Sequence, residues 1–214
     1  MAEALILDSL GKPNLAIEKL HNYLIVQPLS LNVIDCLSCI YEKHKMLLPA
    51  LKLAIRAFEM TPSISHRAIR AIDLAENSDN THMLIKLGEM YATHISSADI
   101  DLIHSIGTHY DSLKATYQRE TQTQNKRMLL EHANQFTELV NLKLPAKLQQ
   151  QVLASLALFQ SSILLIENSP SVAHKKVIRA TKLLSNQFFN QPTSLLAQLL
   201  PLLSHFGEYS LYHL

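Results

Sequence analysis

Two cysteines three residues apart, Cys36-Leu-Ser-Cys39, are the side chains whose type and spacing most directly suggest chemistry. Such a pair can cycle as a redox dithiol or supply half of a zinc site. A redox pair needs its first cysteine at a helix N-terminus after a strand, where the helix dipole lowers the thiol pKa. Zinc needs two further ligands. The apolar spacing around Cys36 and Cys39 places both in the middle of a helix, and no His-x-x-x-His stands nearby. They read as small residues that let helices pack, and neither a metal nor a cofactor is expected.

Eleven histidines are scattered along the chain without forming a two-histidine ligand pair on one helix. His104 and His109 with Asp101 and Asp111 make the one local His/Asp cluster. Five-residue spacing turns the two imidazoles about 140° apart on an ideal helix, so this cluster reads as a solvated helix face. Catalysis would need a nucleophile or base oriented by a partner. With no Gly-rich phosphate loop and no Gly-x-Ser-x-Gly elbow, no catalytic residues are assigned and no enzymatic activity is expected. The basic residues Lys175, Lys176, Arg179 and Lys182 form a ridge on one predicted helix. In a chain of 19 basic and 18 acidic residues, and without interleaved aromatics, that ridge reads as a solvated face, and nucleic-acid binding is not expected.

The elements that carry these residues are helices. Four glycines in 214 residues leave little material for tight hairpins, and apolar residues recur at three- and four-residue spacing in stretches rich in Ala, Leu, Lys, Glu and Gln. Gly11-Lys-Pro13, Gln27-Pro28, Thr61-Pro62, Asn77-Ser-Asp-Asn80, Leu144-Pro145, Asn168-Ser-Pro170 and Asn190-Gln-Pro192 cut the chain into antiparallel neighbours. The order predicted is short helical hairpins over 1–96, long helices over 98–121 and 126–141, then helices from 146 to 167, 171 to 187 and 194 to 206. The domains expected are 1–96, an extension over 97–143, and C-terminal hairpins over 144–214. The longest uncharged segment, Leu148–Ile166, is interrupted by Gln149, Gln150, Gln151, Ser155, Gln160, Ser161 and Ser162, so it reads as a buried helix and no membrane span is expected. Glu3 stands where a signal peptide would carry a basic residue, which with two cysteines suggests a cytoplasmic protein.

An internal period of 34 residues aligns Ala16, Leu20 and Pro28 with Ala50, Ala54 and Pro62. With Ile34, Leu37, Ser38, Tyr41 and Ala57, the segment 31–64 resembles the tetratricopeptide repeat (TPR), and 1–30 follows the same pattern through Ala4, Gly11, Ala16, Leu20 and Pro28. The resemblance implies an all-α, TPR-like helical-hairpin solenoid with additional C-terminal helices. A third, degenerate hairpin would span Ser65–Asn77 and Asn80–Thr93, although Leu87-Gly88-Glu-Met-Tyr91 also looks like the first helix of a fresh repeat starting near Thr81. The segment around Ala154–Ser185, with Ala173 and Ala180, is a candidate for one more.

The resemblance also implies where binding occurs, since in TPR proteins the first helix of each hairpin lines a concave groove. The groove positions are Asn32, Asp35, Cys39, Glu42 and Lys43 in the best repeat and His66, Ile69, Asp73, Glu76 and Asn77 in the next. Asp35 and Cys39 occupy places where carboxylate-clamping relatives carry Lys and Asn, so a clamp is not supported. A mixed to acidic groove suits a basic or amphipathic peptide or helix. Residues 1–115, through Ala54–Arg67, Leu74-Ala75 and Asp79, look like the TPR region C-terminal to receiver domains in some bacterial response regulators. This implies a non-enzymatic adaptor in signal transduction. The alternatives are a stand-alone TPR chaperone of a secretion system or a helical nucleic-acid or transcription-regulator domain using the Lys175–Lys182 ridge. The array starts inside a repeat and lacks a polar terminal cap, which points to a piece of a longer protein or to a homodimer. The helix of Leu195, Leu196, Leu199, Leu200, Leu202 and Leu203 is apolar on more than one face. It is either deeply buried or the dimer surface.

Overall fold

The described residues of the protein, 1–99, 101–184 and 193–207 of a computed structural model, form eleven α-helices and no strand. The class is all-α, as the glycine scarcity and apolar periodicity imply. Contacts divide the helices between two units, Met1–Asn80 and Thr81 onward.

The first unit holds α1 (Ala2–Ser9), α2 (Pro13–Val26), α3 (Leu31–Lys43), α4 (Leu47–Met60) and α5 (Ser65–Asn77). Pro13 opens α2, where its missing N–H costs nothing because that amide has no partner in a helix anyway. The 34-residue period is visible in the backbone: Gly11, Lys45 and Asp79, each 34 residues after the last, have φ of 73°, 63° and 51°. Each follows a helix and closes it the same way. The amide after it bonds back five residues, Lys12 to Leu7, Met46 to Tyr41 and Asn80 to Ala75, at 2.8–3.1 Å. This double-bonded turn satisfies the orphan carbonyls of the helix end and reverses the chain.

Inside the best hairpin, Ser38 Oγ donates to the carbonyl of Ala50 at 3.0 Å, with both residues buried. Small residues at these two positions let α3 and α4 approach, and Ala4 and Ala16 do the same for α1 and α2. The core between the hairpins is Leu20, Leu24, Val33, Ile34, Leu37, Ile40 and Ala57.

The second unit holds α6 (Thr81–His94), α7 (Leu102–Arg119), α8 (Thr123–Asn141), α9 (Ala146–Ile166), α10 (Pro170–Leu184) and α11 (Thr193–Phe206). α9 is long and apolar enough to cross a membrane, but half of it is buried, packed by α7, α8, α10 and α11. It is the central helix of the unit. α9 and α10 form a hairpin with the same construction as α3 and α4: Ser161 Oγ donates to Ala173 at 3.1 Å, and Asn168 takes a φ of 54° with Ser169 bonding back to Leu164.

The helix expected from 98 begins instead at Leu102. Ser96 and Asp99 take the backbone amides of Ala98 and Asp101 on their side chains, holding a turn that competes with helix. α8 begins at Thr123, ahead of Lys126, after a turn held by the Glu120 side chain. The carboxylate accepts the amides of Thr121 and Gln122 and the Asn125 side chain at 2.9–3.0 Å, and these donors hold its pKa below the ordinary carboxylate value. The two helices expected to pair as a third hairpin fall in different units, α5 closing the first and α6 opening the second. One face of the leucine helix is buried in its own unit. Leu195, Leu199 and Leu203 enter the core with Ala154, Leu158, Val177 and Ala180, and among its leucines only Leu200, at 36%, counts as exposed. The turn expected at Asn190-Gln-Pro192 and the end of the helix predicted over 171–187 lie outside the described residues.

Candidate functional site

In the first unit, residues of α1, α3 and α5 form a ladder of ion pairs that joins each first helix to the next. Asp8 on α1 accepts from Lys43 Nζ and pairs with His44 Nε2, both at 2.7 Å. On α3, Asp35 pairs with Arg67 of α5 at 3.0 Å, and Glu42 pairs with Arg70 at 2.8 Å. Arg70 also reaches Ser38 Oγ at 3.3 Å, so the hydroxyl that locks α3 to α4 is tied to α5 as well. Hydrogen bonds from Lys43 and then His44 hold the Asp8 carboxyl below the ordinary aspartate value.

Among the predicted groove residues, Asp35, Glu42 and Lys43 are therefore brought together with neighbours of their own chain. The acidic character expected of the groove is cancelled by Arg67 and Arg70 of α5. Asn32, Cys39, His66 and Asn77 are exposed, whereas Ile69, Asp73 and Glu76 are half-buried. One period before Asp35 and Cys39 stand Met1 and Leu5, 52% and 49% exposed. Exposed on these first helices, beyond the paired charges, are the apolar and thiol side chains Met1, Leu5 and Cys39 and the polar Asn32 and His66. Cys36 is half-buried and its thiol is pushed up by burial, which makes it a poor nucleophile and metal ligand at neutral pH.

The second unit contains an arrangement that sequence reading missed. His109 of α7, expected on a solvated face, is 0% exposed, and its Nε2 lies 3.0 Å from Nε2 of His132 of α8, itself 2% exposed. The rings meet edge-on at 82°, with Phe136 4.6 Å from the His109 ring and Tyr110 stacked on Phe159. Gly88 of α6 closes the site. A Cβ there would fall 2.5 Å from His132 Nε2 and 2.6 Å from His109 Nε2. Burial drives the His109 pKa well below its ordinary value and the His132 pKa to about 4. The signal that places them inside was present in the periodicity: His109 continues the stripe Leu102, Ile106, Leu113, and His132 lies beside Leu129, Ala133 and Phe136.

The rest of the His/Asp cluster does lie at the surface. His104 and Asp111, with Thr108 and Lys114 on the same stripe of α7, edge a cleft of about 410 Å³ floored by Leu158, Phe159 and Leu202. Gln198 of α11 bridges this edge, donating to Asp111 at 3.1 Å and to the Gly107 carbonyl at 3.4 Å. Among the described residues no group of three His, Cys, Asp or Glu side chains is arranged to hold a metal. Neither protein-family models nor curated proteins give a match to this chain.

Proposed function

We propose that the chain is a TPR-type protein-binding adaptor that works by binding rather than catalysis, and that the face shared by α1, α3 and α5 takes the apolar side of an amphipathic helix. The observation that carries this reading is the ion-pair ladder Asp8–Lys43, Asp35–Arg67 and Glu42–Arg70. It fixes three successive first helices side by side while consuming their charges, and it leaves Met1, Leu5 and Cys39 outward. A preformed face with apolar side chains and neutralised charge favours an amphipathic over a strongly basic partner. Its place in bacterial signal transduction, as the TPR region of a response regulator, rests on the resemblance of residues 1–115, and the in-frame sequence upstream of Met1 tests that part.

The binding face is tested by capture of partners with wild type, with Leu5→Glu/Cys39→Glu, and with Val172→Glu as a control on the exposed side of α10. All three substitutions are at surface or half-exposed positions, so the fold is retained. Partners held by wild type and the control but released by the double variant support the face. Equal capture by all three sinks it.

A further inference from the structure

The His109–His132 contact joins α7 to α8 directly beneath α6, and its hydrogen count is unusual for a core. A neutral imidazole carries one N–H. For the two Nε2 atoms to bond at 3.0 Å, one ring holds its proton on Nε2 and donates, and the other accepts there and holds its proton on Nδ1. Both Nδ1 atoms are buried without a partner. The pair thus makes one good bond and leaves one donor and one acceptor unmet, a cost that a purely structural core contact avoids by using apolar side chains.

A first proton lands on the free Nδ1 of the donating ring and leaves the Nε2–H···Nε2 bond intact, but it puts an imidazolium in the core with no acceptor for its Nδ1–H. A second proton sets N–H against N–H across 3.0 Å, and Gly88 leaves no room for a ring to turn on the α6 side. Around the pair, α6 contributes Gly88 with Tyr91 beyond Phe136, α7 contributes Tyr110, α8 contributes Phe136 and Thr137, and α9 contributes Phe159. The titratable groups among these are the two phenols. Of the other ionisable side chains on these helices, His82, Lys86, Glu89 and His94 on α6, His104, Asp111 and Arg119 on α7, Arg127, Glu131 and Glu138 on α8 and Lys147 on α9 are exposed, Lys114 and Lys126 are half-buried, and Glu131 is already paired with Arg127. Among the described residues no carboxylate is placed to receive a buried imidazolium, which a buried aromatic site does not tolerate.

We propose that His109 and His132 form an acid-sensitive latch: neutral, they hold α6, α7 and α8 closed, and protonation releases that packing. The sign follows from the direction of the shifts, both folded-state pKa values lying below the ordinary 6.5. The stabilisation is complete above 6.5 and is lost as pH falls from there towards about 4. Opening that admits two protons grows about a hundredfold per pH unit in this window, and opening that admits one grows about tenfold.

The test is native-state hydrogen exchange from pH 7.5 to 4.5 on the whole chain, corrected for the intrinsic pH dependence of exchange. Amides of α7 and α8 are expected to open about ten- to a hundredfold more per pH unit below 6.5, while those of Ile40 and Ala54 in the α3–α4 hairpin stay flat. His132→Gln is expected to reduce the slope by one proton; a slope unchanged in this variant overturns the latch. Because that variant can fold poorly, the wild-type imidazole resonances are followed in parallel. Either ring titrating above pH 6 in the folded protein, or α7 and α8 protection constant to pH 4.5, also overturns the proposal.

Discussion

Ser161 donates to the carbonyl of Ala173 at 3.1 Å across the α9–α10 hairpin, repeating at the same twelve-residue separation the 3.0 Å bond from Ser38 to Ala50. In both hairpins a left-handed residue, Asn168 or Lys45, stands seven positions after the serine. The two hairpins, in different units, are built on one plan of interlock and turn. A serine here does two jobs, being small enough for close helix approach and able to bond a facing carbonyl. Ser161→Ala keeps the first and loses the second, so it should cost about 0.5–1.5 kcal/mol. Ser161→Leu removes both and should cost at least about 1–3 kcal/mol by overpacking. Urea unfolding of the two variants checks the ranking.

Lys45 carries a left-handed backbone, φ 63°, without the side-chain chemistry that lets Asp79 and Asn168 tolerate it. Its side chain is exposed. Lys45→Gly should therefore stabilise the first unit, by up to about 1 kcal/mol once the added freedom of glycine in the unfolded chain is offset. A rise in the thermal midpoint is the expected reading, and a fall contradicts the turn geometry.

Gly88→Ala pits two effects against each other. Alanine is the better helix former by up to about 1 kcal/mol, but its methyl would sit 2.5–2.7 Å from atoms of both imidazoles, and overpacking of this kind costs about 1–3 kcal/mol. The rings are held by Phe136 and by each other rather than free at a flexible tip, so the clash wins and the variant should be less stable. Thermal melts of Gly88→Ala alone and combined with His132→Ser check this, the second substitution recovering part of the loss.

Acid should act on the two units in sequence. The histidine pair of the second unit loses its contribution as pH falls from 6.5 towards about 4. In the first unit Asp8, whose pKa is depressed below 3.8 by Lys43 and His44, contributes fully above 3.8 and loses its contribution only below that pH. Near-ultraviolet signals from Tyr91, Tyr110 and Tyr117 should therefore change at higher pH than exchange protection in α3. Simultaneous loss would count against the assignment of the acid-sensitive groups.

The helices and the interlock of α3 with α4 were legible because both depend on neighbours within one 34-residue period: a small residue, a turn, a small residue twelve positions on. Asn77-Ser-Asp-Asn80 was read as a turn for a local reason that the left-handed Asp79 bears out. The histidine pair was not legible in this way. His109 and His132 lie 23 residues apart on different helices, and histidine in an apolar stripe was weighed by its polarity rather than its position. The pairing of Asp35 with Arg67 and Glu42 with Arg70 is not legible for a related reason: the partners lie 32 and 28 residues apart on different helices, and only the packing of α3 on α5 brings them together. The leucine helix could be read only as buried or associating, since composition does not say which surface covers it; α7, α9 and α10 do.

Gly88, His109 and His132 meet at one point from three helices, and that meeting makes them a single heritable character rather than three. A lineage that enlarges position 88 must first shrink one of the rings, and one that loses a histidine is free to drift at the glycine. In related chains the three positions should change together or not at all, even where every surface residue around them has turned over.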